Sequence, residues 1–196
     1  MGKKVFVNGD PLLASELNEY LMAQSVMAFS DATARDAAIE VPIYGQTAYL
    51  NNFQQLTIYN DAAWVPISLR SWVSYTPTLT NFTVGNGSFS AAYTQIGSTV
   101  HVRFKFTYGS TSAASGAFTA SLPVAPSTNA LGHGLIQDAS GSDYPAQVFT
   151  SGSTFTMRIS TASGSYATWA AASNTVPVAP ANGDIYTAYI TYQVAL

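Results

Sequence analysis

The stretch Val100-His101-Val102-Arg103-Phe104-Lys105-Phe106-Thr107-Tyr108 decides the fold. In an extended chain Val100, Val102, Phe104, Phe106 and Tyr108 share one face, and His101, Arg103, Lys105 and Thr107 share the other. A period of two is that of a β-strand buried on one side. Phe118, Ala120 and Leu122 repeat the pattern, as do Phe155, Met157 and Ile159, with Thr154, Thr156 and Arg158 facing outward. The last segment alternates Tyr186, Ala188, Ile190, Tyr192 and Val194 with Thr187, Tyr189, Thr191 and Gln193. Turn pairs such as Asn86-Gly87, Gly97-Ser98, Gly141-Ser142, Gly152-Ser153 and Asn182-Gly183 separate these runs, and Pro123, Pro126, Pro177 and Pro180 fall where strands stop. Roughly eight strands at this spacing predict an antiparallel β-sandwich, jelly-roll-like, over residues 68–196. The echo of residues 122–126 in 176–180 is local, since different patterns follow the two copies.

Only 9% of the 196 residues are charged, against about 25% in an ordinary soluble domain. With 47% hydrophobic and 13% aromatic residues the chain is nonetheless able to bury a core, so disorder is excluded. A neutral Ser/Thr/Gly/Asn surface and a net charge of −3 argue against nucleic acid and anionic lipid as partners. There is no cysteine, and His101 and His133 are the sole imidazoles, without a carboxylate cluster nearby in sequence. Neither a metal nor another cofactor is therefore expected. Val5-Phe6-Val7 is too short for the apolar run of a signal peptide, and nothing approaches the ~20 apolar residues that span a bilayer, so membrane insertion is not expected.

Up to Arg70 the chain carries four basic and seven acidic residues; beyond it only Arg103, Lys105, Arg158, Asp138, Asp143 and Asp184 remain. The shift places a boundary near 67–71. It gives an N-terminal anchoring arm and helix (1–25), a small α+β module (26–67) and the sandwich (68–196). Asp10 and Pro11 read as the cap and first residue of a helix whose stripe is Leu13, Leu17, Tyr20 and Leu21. A helix of about fourteen residues is marginal alone in water, so this stripe packs either on its own domain or on copies in neighbouring chains. Asp31 caps a second helix, Ala32 to Ile39, ended by Val41-Pro42. Thr47–Leu50 and Leu56–Tyr59 read as a hairpin, with Trp64 after a turn at Asn60-Asp61.

Catalytic signatures are missing. There is no Gly-x-Ser-x-Gly and no phosphate-binding Gly-Lys-Ser/Thr. A glycan hydrolase needs two facing carboxyl groups, and Asp138, Asp143 and Asp184 all read as turn residues. The chain is not expected to be an enzyme. His101, Arg103 and Lys105 form the densest charge of the sandwich: either a solvated strand face or a contact for an acidic sugar, a phosphate-bearing polymer or a neighbouring subunit. Tyr144 and Trp169, in Gly/Ser/Ala-rich surroundings, are either sugar platforms or core and interface residues.

The run Val26-Met27-Ala28-Phe29-Ser30-Asp31-Ala32-Thr33-Ala34-Arg35-Asp36-Ala37-Ala38-Ile39, with Gly45-Gln46-Thr47-Ala48-Tyr49-Leu50 and Leu56 to Trp64, resembles a module common in tail and tail-fibre proteins of bacteriophages infecting actinobacteria. That family's pattern is a strand, an Asp-x-Thr-Ala-Arg-Asp-Ala helix start and a hairpin ending in Tyr-x-Gly-x-x-Trp; here Asn60-Asp61 replaces the glycine turn. Trp72 to Pro77, Asn86-Gly87, Tyr93 to Gly97 and Val100 to Val102 are similar to the opening strands of phage receptor-binding head domains. The resemblance implies a homotrimeric virion protein, assembled in the host cytoplasm. Its N-terminal segment would dock on another structural protein of the particle, and its head domain would adhere to a cell-envelope glycan without catalysis. The alternative it leaves open is a trimeric capsid decoration or head fibre.

Overall fold

The computed structural model describes residues 8–9, 11, 13–17, 25–68, 71–163 and 166–195. The protein is mainly β, with 51% of the described residues in strands, and falls into two compact units, Met1–Ser71 and Trp72–Leu196.

In the first unit, α1 (Ala14–Leu17) precedes β1 (Met27–Phe29), α2 (Ala32–Ala38), β2 (Thr47–Leu50), β3 (Gln55–Tyr59) and β4 (Trp64–Pro66). The sheet order is β1-β2-β3-β4. The residue pattern predicts a helix followed by a hairpin; the sheet extends that hairpin on both sides. β1 pairs parallel with β2, α2 being the crossover between them, and β4 pairs antiparallel with β3, Tyr59 opposite Trp64. Asp31 has extended backbone, and its Oδ1 accepts the Ala34 amide at 2.9 Å, satisfying an otherwise orphaned donor of the first turn. The long helix expected after Asp10 is described only as α1. Leu13 is largely exposed; the side chain of Leu17, and Tyr20 and Leu21 altogether, lie outside the described residues.

The second unit holds β5 (Val73–Ser74), β6 (Leu79–Thr83), β7 (Ser88–Ile96), β8 (Thr99–Thr107), β9 (Ala113–Ser121), β10 (Leu131–Gln137), β11 (Asp143–Ser151), β12 (Thr154–Ser163), β13 (Tyr166–Ala171) and β14 (Ile185–Gln193). They form one antiparallel sheet in the order β5-β7-β8-β14-β10-β11-β12-β9-β6, with β13 paired to the second half of β12. β14 and β6 are five places apart in this order, about 24 Å in a flat sheet at ~4.8 Å per strand. Yet Phe82 of β6 and Tyr186 of β14 have ring centroids 5.7 Å apart, and Phe104 of β8 meets Phe155 of β12 at 5.3 Å. The sheet therefore curls on itself, and its concave side is the core. Val100, Val102, Phe104, Phe106 and Tyr108 are all buried there, as are Tyr186, Ala188, Ile190, Tyr192 and Val194.

Two local devices shape the curl. The β6–β9 register shifts between Thr80 and Phe82, and Asn81 takes φ +61°, its side chain donating to the Ala117 carbonyl at 2.9 Å. This bulge supplies the local bend at Phe82, which is buried. On β10, Gly132 and Gly134 lie against β14 so closely that a Cβ on either would stand 2.4 Å from a carbonyl oxygen of Tyr189 or Thr187. The intervening His133 points to the convex side.

Candidate functional site

Antiparallel pairing puts directly opposed residues on the same face. The pairing Ala92↔Arg103↔Tyr189↔His133↔Gln147↔Arg158 runs unbroken from β7 across β8, β14, β10 and β11 to β12. Because Phe104 and Phe106 take the inner phase of β8, the row lies on the convex face. It carries two guanidinium groups, a phenol, an imidazole and an amide, and Tyr189 is about half exposed.

The row is internally braced. The Arg103 guanidinium carbon sits 4.6 Å from the centroid of the Trp72 ring, and that of Arg158 sits 4.6 Å from the Phe149 ring. His133 and Tyr189 stack at 5.5 Å with 20° between their planes. Such contacts spend the π-faces of the guanidinium groups and leave the N–H edges for a ligand. Among the described residues, the side chains of Arg103, Lys105 and Arg158 form no hydrogen bond and meet no carboxylate; the one ion pair there, Arg35 with Asp36, belongs to the first unit. Beside the row a groove of about 270 Å³ is lined by Ser90, Arg103, Lys105, Thr187 and Tyr189. That is at the small, shallow end for ligand sites, suited to a single ring rather than to an enclosed reaction.

The candidates named from sequence separate here. His101, Arg103 and Lys105 lie on this face, His101 with its Nδ1 2.9 Å from Thr191 Oγ1. Trp169, half exposed on β13, shares it through its pairing with Ser160. Tyr144 lies within β11, opposite the fully buried Ile136, and packs against the core. Tyr189, His133, Gln147, Arg158 and Trp72 were not among the named candidates. Their signal was present as an aromatic and a cation on the polar phase of strands, but which strands adjoin is invisible in a single sequence.

Asp184, the most buried carboxylate among the described residues, serves the fold rather than a ligand. Its Oδ1 accepts the Ala139 amide at 2.9 Å and its Oδ2 the Ala181 amide at 2.8 Å, tying the β10–β11 turn to the start of β14. Asp138 likewise caps its own turn through the Ser140 amide. Among the described residues no three His, Asp or Glu side chains converge as metal ligands, and no helix is long and apolar enough to cross a membrane.

What the fold and face define is a mainly β chain presenting an open, cation- and aromatic-bearing sheet surface. No family model, no curated protein and no solved structure matches it.

Proposed function

We propose that the chain is a structural virion protein of a tailed phage: a homotrimeric, tail-associated receptor-binding protein whose second unit adheres to host envelope glycan without catalysis. The observation that carries this reading is the convex row of Arg103, Tyr189, His133, Gln147 and Arg158, which offers stacking and charged donors on an open surface. Two of the second unit's three aspartates, Asp138 and Asp184, bond turn amides, which supports a role for them in the fold. The resemblance of residues 26–64 to phage tail modules supports the virion assignment, and the fold gives its motif residues a reason: Asp31 caps α2 and Arg35 packs on Trp64. The jelly-roll-like sandwich belongs to this proposal. It is supported by nested pairing, in which β7–β8 lies inside β6–β9 along the chain, so that one long ribbon folds across the core.

Trimerisation gives weak sugar sites avidity, because the second and third contacts become intramolecular. Fluorescently labelled full-length protein is expected to elute as a trimer by light scattering and to coat host cells; a monomer, or bare cells at high protein concentration, overturns the reading. A gold label on the N-terminus of virions is expected at the tail. Gold over the capsid lattice would instead establish a capsid decoration or head fibre.

A further inference from the structure

The convex face curls with the sheet, so a small ligand meets only neighbouring strands. Phe104 of β8 and Phe155 of β12 meet across the core at 5.3 Å, which turns the outward side chains of those two strands away from each other. Within β7, β8 and β14, bonded side by side, outward side chains do share one surface. There Lys105 stands between Ser90 and Thr187, and Arg103 between Ala92 and Tyr189. Arg103 and Lys105 hold successive outward positions of β8, their backbones about 7 Å apart, so both long side chains can reach one anion. With Ser90, Thr187 and Tyr189 they line the groove of about 270 Å³.

This pair differs from solvated surface charge in three ways. Arg103 is held in place, since its guanidinium carbon lies 4.6 Å from the Trp72 ring centroid, and Ala92 opposite it puts only a methyl group in its way. Neither cation is neutralised: Asp138 and Asp184 bond amides at the β10–β11 turn and at the start of β14, and Asp143 pairs with Gln137 beside that turn. Thr187 donates its hydroxyl to the Leu135 carbonyl at 3.2 Å, so the side-chain donors left around the groove are the two cations and the hydroxyls of Ser90 and Tyr189. The groove thus offers protons and positive charge, and no carboxylate.

We infer that this groove seats a single acidic sugar residue, its carboxylate or phosphate clasped between Arg103 and Lys105 and its ring hydroxyls met by Ser90 and Tyr189. The inference rests on the adhesion reading and adds to it the charge of the receptor residue and the side chains that read it. An oxyanion accepts two parallel N–H bonds from the guanidinium edge and a further one from the ammonium group, all of them charge-assisted. A neutral sugar offers only hydroxyls, and both cations would give up water without gaining a counter-charge. Two cations are too few to hold a polyanion by counterion release, so recognition belongs to one residue rather than to a backbone of charges. The acid can be that of a uronic acid or of a sugar phosphate; the chemistry is shared, and the choice of probe separates the two.

Full-length protein labelled with fluorotryptophan reports on the site directly, because Trp72 touches Arg103, whereas Trp64 belongs to the first unit and Trp169 to β13. Trp72→Phe assigns the signal. The probes are methyl glucuronide, glucose phosphate, neutral methyl glucoside and inorganic phosphate. At least one of the two acidic sugars is expected to shift the Trp72 fluorine resonance saturably, to leave the other two resonances in place and to bind less tightly as salt is added. Arg103→Gln and Lys105→Gln are each expected to weaken that binding by about tenfold, and Arg103→Lys, which keeps the charge without the fork, by less. Lys105→Gln is expected to unfold at the temperature of the parent, so its loss of binding is not a loss of fold. Four results overturn the inference: no shift with either acidic sugar, methyl glucoside binding as tightly as they do, inorganic phosphate binding as tightly as they do, or affinity unchanged in both glutamine variants. On host cells, labelled Arg103→Gln/Lys105→Gln protein is expected to lose its coat. Coating that persists in this double variant overturns the inference and leaves adhesion standing, whereas parent protein that leaves cells bare removes the adhesion reading itself and this inference with it.

Discussion

The guanidinium of Arg35 lies 4.5 Å from the centroid of the Trp64 ring, and the same group is held by Asp36 at 2.8 Å. Arg35 is nearly fully buried although it sits on a helix of only seven residues. Burying an arginine is tolerated because its flat face is covered by indole and its edge by a carboxylate. The contact joins α2 to β4.

Arg35→Lys keeps the charge but loses the planar face and the fork. It is expected to destabilise the first unit by about 1–2 kcal/mol, and Arg35→Ala by more, read as a lower urea midpoint followed by Trp64 fluorescence. An unchanged midpoint in both variants would show that the contact does not contribute.

A glycine-to-alanine change at 134 tests how tightly β10 is drawn against β14. The added methyl would stand 2.4 Å from the Thr187 carbonyl oxygen and 2.9 Å from Met157 Cε, and only the latter is able to move aside. The expected loss is roughly 3 kcal/mol by chemical denaturation, at the upper end for an overpacked core site.

Removing the Asp184 carboxyl leaves the Ala139 and Ala181 amides without their acceptor. Asp184→Ala is expected to cost about 2–4 kcal/mol, and Asp184→Asn, which keeps one acceptor oxygen, less. Hydrogen exchange of those two amides is expected to accelerate in the alanine variant.

Alkaline pH is expected to unfold the second unit. Burial, with Tyr93 adding to it, pushes the Tyr192 hydroxyl up to about 12, and burial also raises Tyr75 and Tyr186, the latter raised further by the nearby Asp184 charge. Below about pH 10 these phenols are protonated in both states and their contribution is complete. As pH rises beyond that, the unfolded chain releases protons that the folded one keeps, so stability falls through the folded value near 12. Urea midpoints are expected to be flat to about pH 10 and to drop above it. Tyr192→Phe, which gives up the 2.8 Å bond to the Val124 carbonyl, is expected to be less stable at neutral pH and to show a shallower alkaline loss.

Period-two alternation located the inner phases of β8, β12 and β14 because burial on one face leaves a direct mark on residue type. The bulge at Asn81 left only an Asn, and the pairing of β14 between β8 and β10 left no mark at all: non-adjacent strands meet through backbone bonds that any residue can make. For the same reason Arg103 and Lys105 could be placed on an outward phase, while their neighbours Tyr189 and His133, distant in sequence, could not be assigned to them. Tyr144 shows the converse. Its small and polar neighbours resemble a loop, but its position opposite Ile136 turns it to the core.

The separation of charge in the second unit has a consequence before any contact is made. Its three cations and three aspartates cancel, so the unit has no net attraction to a charged wall. With the aspartates gathered near the β10–β11 turn and Arg103 and Lys105 on the convex side of β8, it is a dipole, and beyond the screening length a dipole feels little net pull. Near an anionic surface the unit is rotated to present Arg103 and Lys105 and to withdraw the turn, over a range set by the ~8 Å screening length of physiological salt. Orientation is thereby biased by electrostatics while arrival is left to diffusion.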